Sequence, residues 1–85
     1  MFYTYILLTA DGSYYIGSTS NLKDRLTRHE KGECRYTKSR RPVMLVYKEP
    51  FNIRSEAMAR ERQLKSWKDR TMIEELINAD EGPIV

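Results

Sequence analysis

The chain has 85 residues, with 15 Lys or Arg against 12 Asp or Glu and a net charge of +3. That length supports one hydrophobic core and no second domain. A single cysteine excludes a disulfide framework, fits a thiol-reducing compartment and leaves Cys34 without an expected role. The apolar opening ends at Leu8, too soon for a signal peptide or a membrane span, so a cytoplasmic protein without membrane contact is expected.

Taken in chain order, Phe2 to Leu8 and Ser13 to Ser18 are rich in aromatic and long or branched apolar side chains, and Asp11-Gly12 between them signals a hairpin. The loop length decides which side chains meet, because direction alternates along a strand. A two-residue loop would put Tyr5 and Tyr15 on opposite faces. A three-residue loop, Ala10-Asp11-Gly12 with Gly12 left-handed, pairs Thr9 with Ser13, Leu7 with Tyr15 and Tyr5 with Gly17, so both tyrosines share a face. Glycine in third place is what that turn demands, and this register is predicted. Ser20 or Asn21 can cap a helix running to Lys31, with Gly32 as its stop. Val43 to Lys48 reads as a third strand, apolar enough to be covered on both sides and bracketed by Pro42 and Pro50. Ser55 can cap a second helix to Trp67. Asp69 can cap a third, whose Met72, Ile73, Leu76 and Ile77 form an apolar face. The expected fold is α+β: a three-stranded antiparallel sheet packed with about three helices, in the order β-β-α-β-α-α. Residues 1–79 form one domain in this reading, and Asp80 to Val85 a frayed tail.

Two helices break their own pattern. In the first, the inward stripe carries Leu22, Arg25, Leu26 and His29, so two polar groups sit among the apolar positions. Arginine keeps its charge in a protein, so an inward Arg25 needs a carboxylate of this chain or a ligand phosphate unless it snorkels to water. His29 on such a stripe is either a satisfied buried histidine or a site residue. In the second helix Ile53, Ala57, Glu61 and Leu64 share a stripe, and Glu61 there requires a partner or a metal. An Arg25–Glu61 ion pair across a small core would explain both at once. Glu56 fits a structural role in the first turn of its helix, and Arg60, Arg62, Lys65 and Lys68 read most simply as a solvated face. A further cluster, Arg35, Tyr36, Lys38, Arg40 and Arg41 ahead of Pro42, reads either as a solvated loop or as a surface that holds a phosphate backbone, with Tyr36 available for stacking.

The segment Tyr3-Thr4-Tyr5, the later Tyr15-Ile16-Gly17 and the helical Arg25 and His29 resemble the defining pattern of the GIY-YIG endonuclease superfamily. The stretch YIGSTSNLKDRLTRHE carries most of the likeness, and Tyr3 departs from the pattern by standing where the first glycine usually is. The chain looks most like the small stand-alone bacterial members. It is also similar to the nuclease domain of the eukaryotic structure-specific subunit that cuts branched DNA. More distantly it resembles the amino-terminal nuclease domain of the bacterial excision-repair incision protein, which has lysine at the place of Ser18. The resemblance implies a metal-dependent endonuclease of DNA repair or recombination, acting on branched or damaged DNA with Mg2+ or Mn2+, with a targeting protein as a further expected partner. It also implies roles. Tyr5 would activate water, Tyr15 would order the site, Arg25 would hold the scissile phosphate with His29 as its companion, Glu61 would bind the cation, and Gly17 would keep the backbone open beside them. The alternative is a non-catalytic nucleic-acid-binding module of the same fold. A third reading is a protein-interaction module whose Arg25 and Glu61 merely pair.

Overall fold

The hairpin forms first in the chain and fixes everything near the site. A computed structural model describes residues 1–67 and 69–81. Strands β1 (Phe2–Leu8) and β2 (Tyr14–Thr19) pair antiparallel, with Tyr5 opposite Gly17 and Leu7 opposite Tyr15, the register of the three-residue loop. Gly12 supplies the left-handed residue at φ 85°, and the Thr9 amide donates to the Ser13 carbonyl at 2.9 Å. The Asp11 carboxylate closes the turn, accepting from the Thr9 hydroxyl and from the Ser13 amide at 3.1 Å, and these bonds hold its carboxyl down to about 2.

Helix α1 (Leu22–Glu30) starts at Asn21, whose side chain accepts the Asp24 amide at 3.0 Å. It ends at Gly32, which takes φ 80°. Its inward stripe is as expected, with Leu22, Arg25 and Leu26 partly buried and His29 fully buried. The basic stretch then departs from an open loop. It forms a one-turn helix, α2 (Arg35–Lys38), with Thr37 fully buried beneath it.

Strand β3 (Met44–Phe51) pairs with the other side of β1, giving the sheet order β2-β1-β3. Two expectations about it are corrected. It runs through Pro50, which pairs with Tyr3, because an edge strand has one side free of ladder bonds and tolerates a missing donor. It is also covered less than its composition implied: Tyr47 alone is buried and Met44 is 63 % exposed, as an edge position allows. Helix α3 (Arg54–Ser66) begins one residue before Ser55, with Ile53 at the cap position and no side-chain cap bond, so Ser55 is not a cap. Ile53 therefore falls off the inward stripe, while Ala57 and Leu64 remain on it, fully buried. Helix α4 (Arg70–Glu81) follows Asp69, whose carboxylate accepts the Thr71 amide at 2.9 Å. The tail expected from Asp80 is helical to Glu81, and its remainder, residues 82–85, lies outside the described residues.

The sheet divides the molecule into two unlike halves. On one face Ile6 and Tyr47 pack with Leu64, Ile73 and Ile77 of α3 and α4 into the aliphatic core. Each such side chain, fully buried, contributes about 1.5–3 kcal/mol. On the same face the Thr4 hydroxyl donates to the Ala57 carbonyl at 2.7 Å, tying α3 to the sheet. The opposite face carries Tyr5, Leu7, Tyr15 and Gly17 toward α1 and α2.

Candidate active site at the edge of the sheet

The register that puts both tyrosines on one face brings them against His29 of α1. The Tyr5 hydroxyl lies 3.1 Å from His29 Nε2, and His29 Nδ1 lies 2.7 Å from the Thr37 hydroxyl, which in turn reaches toward the Cys34 carbonyl at 3.4 Å. One proton arrangement satisfies every member: Thr37 donates to the carbonyl, Nδ1–H donates to Thr37, and Tyr5 O–H donates to Nε2. This makes His29 a neutral imidazole accepting from a tyrosine. Burial, reinforced by the Arg25 charge, lowers the His29 pKa and keeps it neutral. Burial likewise pushes the Tyr5 phenol well above its ordinary value, helped by Tyr15 and opposed by Arg25. Gly17 is required by close approach, since a Cβ there would stand 2.6 Å from the Tyr5 hydroxyl oxygen.

Tyr15, partly exposed, extends this cluster outward. Its ring centroid is 6.3 Å from Tyr5, 5.1 Å edge-on from His29 and 5.5 Å from Tyr36, over which the Arg40 guanidinium sits at 4.2 Å. Arg25 is partly buried and close enough to act electrostatically on both Tyr5 and His29. Its side chain makes no ion pair among the described residues. Tyr5, Tyr15, Gly17, Arg25 and His29 are thus one cluster.

Glu61 approaches the same strand from its other face. Ser18, next to Gly17, donates its hydroxyl to Glu61 Oε1 at 2.7 Å, and Lys65 donates to Oε2 at 2.6 Å. Burial raises the Glu61 pKa, but the Lys65 and Ser18 bonds outweigh it and hold the carboxyl below its usual value. The Arg25–Glu61 pair is therefore not formed, because the sheet separates the two side chains and Lys65, one helical turn on, takes the carboxylate. This removes the basis of the third reading, in which the two charges only neutralise each other. The two halves meet at β2, an edge strand with Gly17 and Ser18 at the crossing point. Among the described residues no group of three or more His, Cys, Asp or Glu side chains is placed to hold a metal ion, leaving Glu61 with the Ser18 hydroxyl as the candidate ligands.

The basic stretch splits in two. Arg40 pairs with Asp11 at 3.2 Å and donates to the Tyr36 carbonyl, and Arg41 donates to the Lys38 and Glu30 carbonyls, both at 3.0 Å, so these two brace the chain around α2. Arg35, Tyr36 and Lys38 are exposed. On α3, Arg60 is not part of a solvated face: it pairs with Glu49 at 2.9 Å under Tyr47. Sequence reasoning missed Thr37, hidden in a charged run, and the pairing of Lys65 with Glu61, which the four-residue spacing on one helix would have flagged.

Comparison with known proteins supplies the family. Residues 1–74 match the family model described as the GIY-YIG catalytic domain. The UPF0213 protein SH2523 of Staphylococcus haemolyticus is 47 % identical over 66 residues, covering 76 % of this chain and 80 % of that protein. The UPF0213 protein DP2720 of Desulfotalea psychrophila is 46 % identical over 76 residues, covering 84 % and 69 % respectively. Among solved structures, the UPF0213 protein BH0048 from Bacillus halodurans superposes with a TM-score of 0.63 at 36 % identity, over 99 % of this chain and 90 % of that one. The tyrosine hairpin, the helical arginine and histidine, and a family match running from β1 into the start of α4 agree with one another, and the chain belongs to the GIY-YIG family.

Proposed function

We propose that this protein is a metal-dependent endonuclease that hydrolyses phosphodiester bonds in DNA, with branched or damaged DNA of repair or recombination as its substrate. The observation that carries the reading is Arg25, a partly buried guanidinium with no anionic partner among the described residues, beside a tyrosine–histidine cluster at a sheet edge. A phosphate is the ligand such a group fits best. Water adds to phosphorus, the bond to one bridging oxygen breaks, and the released alkoxide takes a proton from solvent. Arg25 holds the phosphate and meets the charge that builds on its oxygens. The attacking water gives its proton to the Tyr15 oxygen while the Tyr15 hydroxyl proton passes to solvent; Tyr15 is the partly exposed member of the cluster, and Tyr5–His29 is the hydrogen-bonded pair behind it. The burial of Tyr5 and its raised pKa favour this position over direct contact with water.

Glu61 fits a hard cation. Mg2+ keeps most of its waters and binds through one or two carboxylates plus substrate phosphate, and Glu61 with the Ser18 hydroxyl offers that set once Lys65 releases Oε2. When bound, Mg2+ or Mn2+ supplies positive charge to the phosphate and the leaving oxygen.

Cleavage of labelled flapped, branched, single-stranded and duplex DNAs tests the reading, with either cation and at fixed salt. Metal-dependent cutting by the wild type, lost in folded Arg25→Ala and Glu61→Ala variants, is the expected result. The neutralisation of Glu61 by Lys65 favours a second reading, a nucleic-acid-binding module without catalysis. Salt-sensitive binding that survives chelation, with no cutting by the wild type, would establish that one instead.

A further inference from the structure

A cleft of about 540 Å³ opens across the outer edge of β2, and neither the tyrosine cluster nor Glu61 accounts for it. Its walls include Tyr14, Tyr15, Tyr36, Lys65, Trp67 and Arg70. The aromatic groups come from both faces of the sheet: Tyr15 and Tyr36 from the α1 and α2 side, Tyr14 and Trp67 from the α3 and α4 side. Two cations stand among them: Lys65, paired with Glu61, and Arg70, whose guanidinium lies 4.6 Å above the Tyr14 ring and pairs with Glu74 at 3.2 Å. Lys65, which holds Glu61, forms part of the wall, so one side chain links the cleft to that carboxylate.

We infer that this cleft takes the base of one unpaired nucleotide of a single-stranded DNA segment, next to the phosphate that Arg25 holds. The inference rests on the nuclease reading and names its substrate class. Aromatic rings interleaved with cations are the chemistry of a single-strand platform, where rings stack on bases and Lys or Arg follow the phosphates. The volume suits a nucleotide-sized ligand. A base paired within a duplex is held in its stack and cannot enter a recess lined on several sides, so the cleft selects strands that are already unpaired at that position. A purely electrostatic DNA surface would need the cations and no aromatic walls.

Trp67 is the only tryptophan of the chain and lines the cleft, so its fluorescence reports occupancy without any cleavage. The experiment titrates the wild-type protein, in excess chelator and at fixed low salt, with three probes. These are a short oligothymidylate, an abasic strand of the same number of phosphates, and a blunt duplex. The oligothymidylate should quench Trp67 and bind about tenfold more tightly than the abasic strand, the loss expected for one stacked base. The duplex should leave the fluorescence unchanged. Equal affinity for the base-bearing and abasic strands, or quenching by the duplex, would overturn the inference while leaving the nuclease reading intact. Binding of none of the three would overturn both.

Discussion

The two faces of the sheet are built on opposite principles. Toward α3 and α4 the contacts are aliphatic: Ile6, Leu64, Ile73 and Ile77 close around Tyr47. Toward α1 and α2 the buried groups are a tyrosine, a neutral histidine and a threonine joined by hydrogen bonds, with the partly exposed Tyr15 ring and a partly buried guanidinium beside them. Burying polar groups this way gains little over an apolar core of the same volume, since each bond replaces one to water. A domain this small has little apolar material to spare. The polar face therefore makes sense as a site, and the aliphatic face as the part that holds it.

Substitutions on each face can break or sharpen that comparison. Tyr15→Phe should have the largest effect on chemistry, lowering cleavage by roughly 100-fold or more with the fold intact, measured as rate per folded molecule. Leu64→Ala, at a fully buried position, should lower unfolding free energy by about 2–5 kcal/mol in a denaturant titration. Tyr5→Phe sits between them. It leaves His29 Nε2 without its donor, so stability should fall by about 1–2 kcal/mol and cleavage by less than in Tyr15→Phe. A larger cleavage loss than Tyr15→Phe would move the water-activating role back to Tyr5. The smallest effect concerns pH. His29 is held neutral, with a folded pKa below the ordinary 6.5, so the unfolded chain binds its proton first. The stability that His29 contributes is complete above pH 6.5 and declines as the pH falls below it. His29→Gln should flatten that part of a pH–stability curve.

Much of this was legible in the sequence, for identifiable reasons. Gly12 fixed the hairpin register, and that register alone put Tyr5 and Tyr15 together. The 3.6-residue period turned Arg25 and His29 inward on α1. What stayed hidden depended on tertiary contacts. The four residues of α2 are too few to show a period, so Thr37 looked like one more polar loop residue. Arg40 and Arg41 looked like free cations because Asp11 lies far off in the chain and their other partners are backbone carbonyls, which no residue type marks. Glu61 shared a stripe with buried residues, and only the fold shows that the sheet separates it from Arg25 while Ser18 and Lys65 hold it. Pro50 looked like a strand end because nothing local marks β3 as an edge.

The division of labour between the faces is tested most directly by measuring unfolding free energy and cleavage rate per folded molecule on the same two variants, Arg25→Ala and Ile77→Val. Arg25→Ala should lose about 100-fold or more in rate while stability stays within about 1 kcal/mol. Ile77→Val, in the aliphatic core, should lose about 1 kcal/mol of stability with its rate unchanged. An Arg25→Ala protein that is strongly destabilised yet cuts at the wild-type rate per folded molecule would contradict the account.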